Sequence, residues 1–299
     1  MNLVGIGGEG ESVWLTWFAS FVAGRFAGLC EFTGDTAEAG RLRETSEMLK
    51  KSADAAWDGE WYLRGYFDDG TSLGSGKNDE CRIDSVAQSF AALAGGGKEK
   101  METALKKSVE ILFRRDKRLV MLFDPPFSSG RVSPGYIKGY SPGFRENGGQ
   151  YTHGAVWLAM GLLLAGMTDL GYDILEALLP QGRPNDVYRT EPYVLAADVY
   201  SNEGHLGRGG WTWYSGAAGW YYRVALENLL GLRFLNGKMH ISPGLPSSWP
   251  GYKVKWKRGG NEYVISVSCG GVVKITRDGA ECNDFSDDII IEKQTIMLN

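Results

Sequence analysis

The sequence has little of what marks the commonest site chemistries. Its 299 residues hold four cysteines, Cys30, Cys81, Cys269 and Cys282, widely spaced and with no Cys-x-x-Cys pair. That spacing offers neither a zinc site nor a disulfide framework, and a reducing compartment is the default. Only His153, His205 and His240 carry an imidazole, and no two stand four residues apart on one helix face, so no metal is expected. No Lys/Arg run stands out and the formal net charge is −4, which argues against nucleic acid as a partner. P-loop, dinucleotide and Gly-x-Ser-x-Gly signatures are missing. The "GIGGEG" segment (5–10) follows no strand and is a weak candidate for cradling a phosphate. No basic segment followed by an apolar run of leader type opens the chain. The stretch "GAVWLAMGLLLAGM" (154–167) is too short to span a bilayer and reads as a buried core helix. The expectation is a cytoplasmic segment with no membrane contact and no bound cofactor.

Glycine and aromatic residues, in contrast, are abundant: 42 Gly, 10 Trp, 14 Tyr and 12 Phe. Aromatics can simply build a core, and 43% apolar residues suffice for a large one. Here many sit in polar, Gly-rich segments such as "WDGEWYLRGYFDDG" and "GRGGWTWYSGAAGW". Aromatic rings among carboxylates and amides suit a sugar, whose ring faces are apolar and whose hydroxyls need polar partners.

Helical periodicity dominates to about residue 232. Over 12–32, Val13, Trp14, Trp17, Phe18, Phe21 and Val22 form a wide apolar stripe. Further helices are predicted over 36–56, 84–94 (with Asp84 as N-cap), 99–114, 153–165, 168–179, 191–201 and 216–231, about eight in all. Short connections alternate with long ones at 57–83 and 116–152, and long loops in a compact domain are usually functional. This pattern suits a ring of helical hairpins whose long loops gather at one end, an α/α toroid or part of one. After residue 240 the period changes to two: "YKVKWK", "EYVISVS" and "VVKIT", then "DIIIE" and "QTIML", separated by turn residues. The chain therefore divides into a helical unit, 1–238, and a small antiparallel β unit, 239–299, read as a sandwich.

Most loop carboxylates are surface charges, caps or turn formers when taken singly. Three contexts stand out. In "FRENGGQYTHGAVW" (144–157), Glu146 precedes a glycine pair and His153 falls at a helix start, where free N–H groups favour an anion. In "GRGGWTWYSGAAGW" (207–220), Ser215 and Gly216 precede a helix; they can form an anion pocket, or Ser215 can serve as an N-cap alone. In "RTEPYVLAADVY" (189–200), Pro192 marks a first helical turn and places Glu191 and Asp198 on one face. His153 with Ser215 and Gly216 suggests one shared oxyanion. A phosphate pocket beside a sugar site points to phosphorolysis.

At these segments the chain resembles glycoside hydrolase family 94, the inverting β-glucan phosphorylases and the phosphorylase-like domain of cyclic β-1,2-glucan synthases. The similar stretches are "GEGESVWLTWF", "AWDGEWYLRGYFDDGTSLGS", "DECRIDSVAQSF", "RENGGQYTHGAVW", "EPYVLAADVY", "GGWTWYSGAAGWYYRVALENLLGLR" and "ISPGLPSSWPGY", in family order over most of 1–252. "DECRIDSVAQS" and "EPYVLAADVY" look most like the β-1,2-glucan branch. The resemblance implies an (α/α)6 barrel followed by a C-terminal β domain, with inorganic phosphate as co-substrate and attacking group. It implies phosphate contacts from His153, Ser215 and Gly216. It implies sugar contacts from Glu146 and from Asp198, the latter standing where cellobiose-type members carry Gln. The general acid of the family is the first Asp of a Gly-Asp-Trp-Asn-Asp-Gly motif, and Asp-Trp-Asn occurs nowhere in these residues. The resemblance thus implies that the chain starts just after the acid, that one flank of the ring stays open, and that these residues alone are inactive. A non-catalytic glucan-binding or complementing fragment and an inverting hydrolase are the alternatives. A homodimer and a separate N-terminal half both fit as partners.

Overall fold

The computed structural model describes residues 1–235, 238–268, 272–281 and the backbone of 289–291. Cys269, Cys282 and the strand expected over 294–298 lie outside the described residues. Cys30 and Cys81 are buried free thiols.

Helix α1 (Val13–Phe32) starts at Ser12, whose hydroxyl accepts from Leu15 N. Helix α2 (Thr36–Ala55) returns beside it, capped by Asp35 accepting from Glu38 N. Ser20 and Ser46 tie the two together by donating to each other's carbonyl oxygens at 2.9 and 2.8 Å. Helix α3 (Ser85–Leu93) is buried along its whole length and is capped by Asp84, as its sequence predicts. Helices α4 (Lys98–Leu112), α5 (Thr152–Leu164) and α6 (Thr168–Leu178) follow. Next come a four-residue helix, α7 (Asn185–Tyr188), and α8 (Ser215–Val224), which runs into a π turn over Ala225–Leu229.

α1, α3, α5 and α8 pack side by side in that order, with α2 packed on α1, α4 on α3 and α6 on α5. Each pair is joined by a short turn, and each inner helix is entered from a long loop. The long loops therefore meet at one end, the N-terminal end of the inner helices. This is a helical toroid in part: among the described residues no extensive packing joins α8 back to α1. One face of α1, with Val13, Trp17, Ala27 and Cys30, is buried, Val13 and Trp17 within the ring core. The other carries Leu15, Phe18, Val22, Phe26 and Leu29, 38–52% exposed, at the spacing of a helix-packing seam. Val22 thus leaves the buried side of the predicted stripe, while the partly exposed Phe18 still meets Phe90 edge-on at 5.4 Å. By length and composition α1 could also cross a membrane.

The helix predicted over 191–201 does not form. Asp198–Val199 pair antiparallel with Gln150–Tyr151, and Ala197 N donates to Trp211 O while Tyr200 N donates to Arg208 O. These backbone groups find partners on neighbouring loops, so the helical ladder suggested by Pro192 has nothing to add. Glu191 and Asp198 accordingly share no helix face.

The β unit begins at Leu232, ahead of the expected boundary at 238/239. Strands Leu232–Leu235 and Lys238–Ile241 pair antiparallel, and Ile289–Ile291 joins the latter in parallel, a departure from the all-antiparallel expectation. Strands Gly251–Arg258, Asn261–Ser268, Val272–Arg277 and Ala280–Glu281 form an antiparallel sheet. Leu232, Met239 and Ile241 of one sheet pack with Tyr263, Ile265, Val267 and Ile275 of the other, giving the sandwich core.

Candidate functional site

The loops at the inner-helix ends are held by their own carboxylates. Asp68 accepts from Gly7 N, Glu9 N and Gly10 N at 2.8–2.9 Å, so the "GIGGEG" loop does cradle an anion, and it is this side chain. These bonds hold the Asp68 carboxyl below its usual pKa. Glu80 accepts from Ser128 N, Ser128 Oγ and Gly130 N; Asp58 accepts from Ser75 Oγ and Gly76 N. Asp84 is 2% exposed and pairs with Arg64 at 3.2 Å. Arg64 also donates to Ser12 Oγ, lies 5.1 Å over Trp14 and lines a cavity of 260 Å³ with Gly10, Ser12 and Leu73. It thereby joins the caps of α1 and α3. Sequence reasoning named Asp84 and missed Arg64, since "YLRGYF" carries no sign of its partner.

Five residues predicted for the site lie where the loops enter α5 and α8. His153 is the second residue of α5. Its ring packs on Trp157 at 4.4 Å and Trp220 at 6.1 Å, and burial lowers its pKa. Its Nε2 is buried with no protein partner. A Cβ on Gly216 would lie 3.6 Å from His153 Nδ1, so the starts of α5 and α8 adjoin. Ser215 is the first residue of α8, not its cap. Tyr214 holds the cap position and makes no side-chain bond there. The first-turn N–H groups of α8 thus have no side-chain cap, and with Ser215 and Gly216 exposed they can receive an anion.

Glu146 sits on a tight turn between Phe144 and Asn147 whose other residue, Arg145, has φ 48°. The turn is anchored by buried Asn147, which donates to Phe127 O and Tyr140 O. Arg145 Nε lies 3.5 Å from Glu146, and its guanidinium stands 5.2 Å from the Tyr140 ring and 5.4 Å from Trp211. Glu146 Oε2 has no hydrogen-bond partner.

Asp198 is 1% exposed. Its Oδ1 accepts from Trp211 N at 3.1 Å, whereas Oδ2 is buried against Gly210, where a Cβ would come within 2.4 Å. Burial raises its pKa, with the Trp211 N–H and Arg145 opposing. Asp198 therefore fixes the loop that leads through Trp211 to Ser215. Buried polar atoms are nearly always hydrogen-bonded. Among the buried polar atoms without a hydrogen-bond partner are His153 Nε2, Trp157 Nε1, Thr190 Oγ1 and Asp198 Oδ2, together with Arg145 Nε and Glu146 Oε2, which form only an ion pair with each other. Arg145 and Trp157 were not singled out from sequence, although "FRENGG" places Arg145 beside Glu146.

At the loop end of this helical toroid, aromatic rings and loop carboxylates lie beside an uncapped helix start and a histidine. A model of the glycosyl hydrolase 94 superfamily catalytic domain matches residues 1–231, and the chain belongs to that family. It is 44% identical over 275 residues to the cyclic beta-(1,2)-glucan synthase NdvB of Rhizobium meliloti, covering 90% of this chain and 10% of that protein. It is 28% identical to a cellobionic acid phosphorylase of Neurospora crassa (92% of this chain, 36% of the relative) and to a solabiose phosphorylase of Paenibacillus borealis (94% and 38%). The chain thus spans little more than a third of either phosphorylase. Among solved structures, one titled "Sialidase" aligns with a TM-score of 0.63 at 14% identity, over 90% of this chain and 25% of the other, a likeness of fold.

Proposed function

We propose that these residues form the phosphate pocket and acceptor-side loops of an inverting glycoside phosphorylase acting on β-1,2-linked glucan. The observation that carries this is the junction of His153 with Gly216 at two helix starts, beside polar atoms that lack protein partners. Phosphate bound there meets the His153 imidazole, the Ser215 hydroxyl and the Gly216 N–H. A phosphate oxygen attacks the anomeric carbon and the bond to the glycosidic oxygen breaks. That oxygen keeps the electron pair and takes a proton from a carboxylic acid on the opposite face. The products are glucose 1-phosphate of inverted configuration and a shortened glucan. Phosphate is its own nucleophile, so one carboxyl suffices where inverting hydrolysis needs two across a water. Glu146 and Arg145 bind the leaving sugar, and Asp198 holds the loop beneath it. The acid is supplied from outside these residues, as their lack of Asp-Trp-Asn suggests.

The test is turnover of β-1,2-gluco-oligosaccharide with phosphate. The chain alone is expected to release no glucose 1-phosphate, and joining a segment bearing the Asp-Trp-Asn motif is expected to restore release. Turnover by the chain alone refutes the missing acid. Sugar release without phosphate, abolished in Glu146→Gln, would instead indicate a hydrolase.

The exposed seam on α1 favours a second reading, a fragment that completes its ring with another helical segment. Co-purification of a partner carrying the motif would support it. A cytoplasmic location is part of the same proposal.

A further inference from the structure

The loop between α7 and α8 exposes four large aromatic side chains: Tyr193 (72%), Trp211 (53%), Trp213 (67%) and Tyr214 (50%). Single exposed aromatics are ordinary, but a group of four on one loop is not. They are also held in place. Trp213 has a left-handed backbone, φ 62°, unusual for a bulky side chain. Its indole N–H donates to Glu191 Oε1 at 2.8 Å, and Tyr193 meets its ring edge-on at 6.1 Å. Trp211 and Tyr214 stack at 6.3 Å with planes 15° apart. The Trp211 backbone is fixed by Asp198, and its ring faces Arg145. The Trp211–Tyr214 stack thus adjoins the Glu146–Arg145 turn through Arg145, and the Trp213–Tyr193 pair is fixed by Glu191 on the same loop, which leads into Ser215.

Rings pre-set at a fixed height, with a carboxylate at their edge, match a pyranose: an apolar face to stack and hydroxyls to bond. A protein partner fits less well, since burying Glu191 and Arg145 under it would strip water from both. We propose that Trp213 and Tyr193, with Glu191, form a stacking subsite for a further glucose unit of the acceptor chain, beyond the sugar held at Glu146. This rests on the glucan-phosphorylase reading and adds that the site takes oligosaccharides in preference to disaccharides.

The experiment is calorimetric titration of the chain, in phosphate buffer, with β-1,2-linked glucose disaccharide, trisaccharide and tetrasaccharide. The expected result is affinity rising about tenfold on one added unit, equivalent to ~1.4 kcal/mol. Trp213→Gly, which accommodates the left-handed backbone, is expected to bring the ratio of trisaccharide to disaccharide affinity near one. Trp213→Phe is expected to restore most of it. A ratio near one in the unaltered chain overturns the subsite while leaving the phosphorylase reading standing. Failure of every oligosaccharide to bind, with Glu146→Gln indistinguishable from the unaltered chain, overturns both. If instead Trp213→Gly converts a dimer to a monomer in light scattering and the ratio is unmoved, the aromatic group is a protein interface and the subsite is refuted.

Discussion

Two groups of loop carboxylates sit at the same end of the ring, and their surroundings treat them in opposite ways. Asp68 and Glu80 each take three donors from a neighbouring loop, and those bonds keep their pKa values low. Glu146 has no hydrogen bond beyond an arginine 3.5 Å away, and Asp198 has one backbone donor and a raised pKa. Members of the first group staple loops that carry the fold. In the second group fewer donors reach the carboxylate, one backbone N–H at Asp198 and an arginine 3.5 Å away at Glu146, which leaves acceptor capacity a ligand can take up. Residue type cannot separate the groups, and counting donors can.

The comparison is broken most severely by turning a paired carboxylate into an unpaired one. Arg64→Met leaves Asp84 buried without its cation and is expected to lower unfolding free energy by about 3–5 kcal/mol in denaturant titration. A loss below ~1 kcal/mol would mean the Arg64–Asp84 pair does not hold the caps of α1 and α3 together. Glu80→Ala removes the acceptor of a half-exposed loop, and a loss of about 1 kcal/mol is expected after allowing for solvent.

Asp198→Asn goes the other way. The amide oxygen can still accept from Trp211 N, and no charge is buried. The folded-state pKa is raised, so the stability Asp198 contributes is complete below the ordinary carboxylate range and is lost as pH rises through its raised value. The variant is therefore expected to gain on the unaltered chain between pH 4 and pH 7, and to match it below the ordinary range (about 3.9). A variant that loses ground as pH rises would place Asp198 with the staples. Smallest and most local is Asp68→Asn. Amide exchange at Gly7, Glu9 and Gly10 is expected to quicken while the global transition stays put. Unchanged exchange would show that the loop holds itself.

Much of this was legible in the sequence. Apolar spacing located α1 to α6 and α8 to within a few residues, and alternating connection lengths put the long loops at one end. His153 and Gly216 were named from separate segments and adjoin in space. What the sequence hid was decided by distant contacts. The 191–201 segment has a helix-start signal in Pro192, yet its backbone bonds to loops around 150 and 210 override it. The apolar stripe of α1 runs round both faces, and only packing shows which one the ring uses. Arg64 and Arg145 act through residues far along the chain or across a tight turn, which no spacing rule reveals.

The central claim is that the junction of His153 with Ser215 and Gly216 receives phosphate. Its most direct test follows the His153 imidazole proton resonances through a pH titration, with and without inorganic phosphate. Without phosphate, burial is expected to hold the His153 pKa below 6.5. With phosphate the pKa is expected to rise, and binding to tighten as pH falls, both effects disappearing in Gly216→Val, whose side chain would fill the space against His153. A His153 titration unmoved by phosphate would contradict the account.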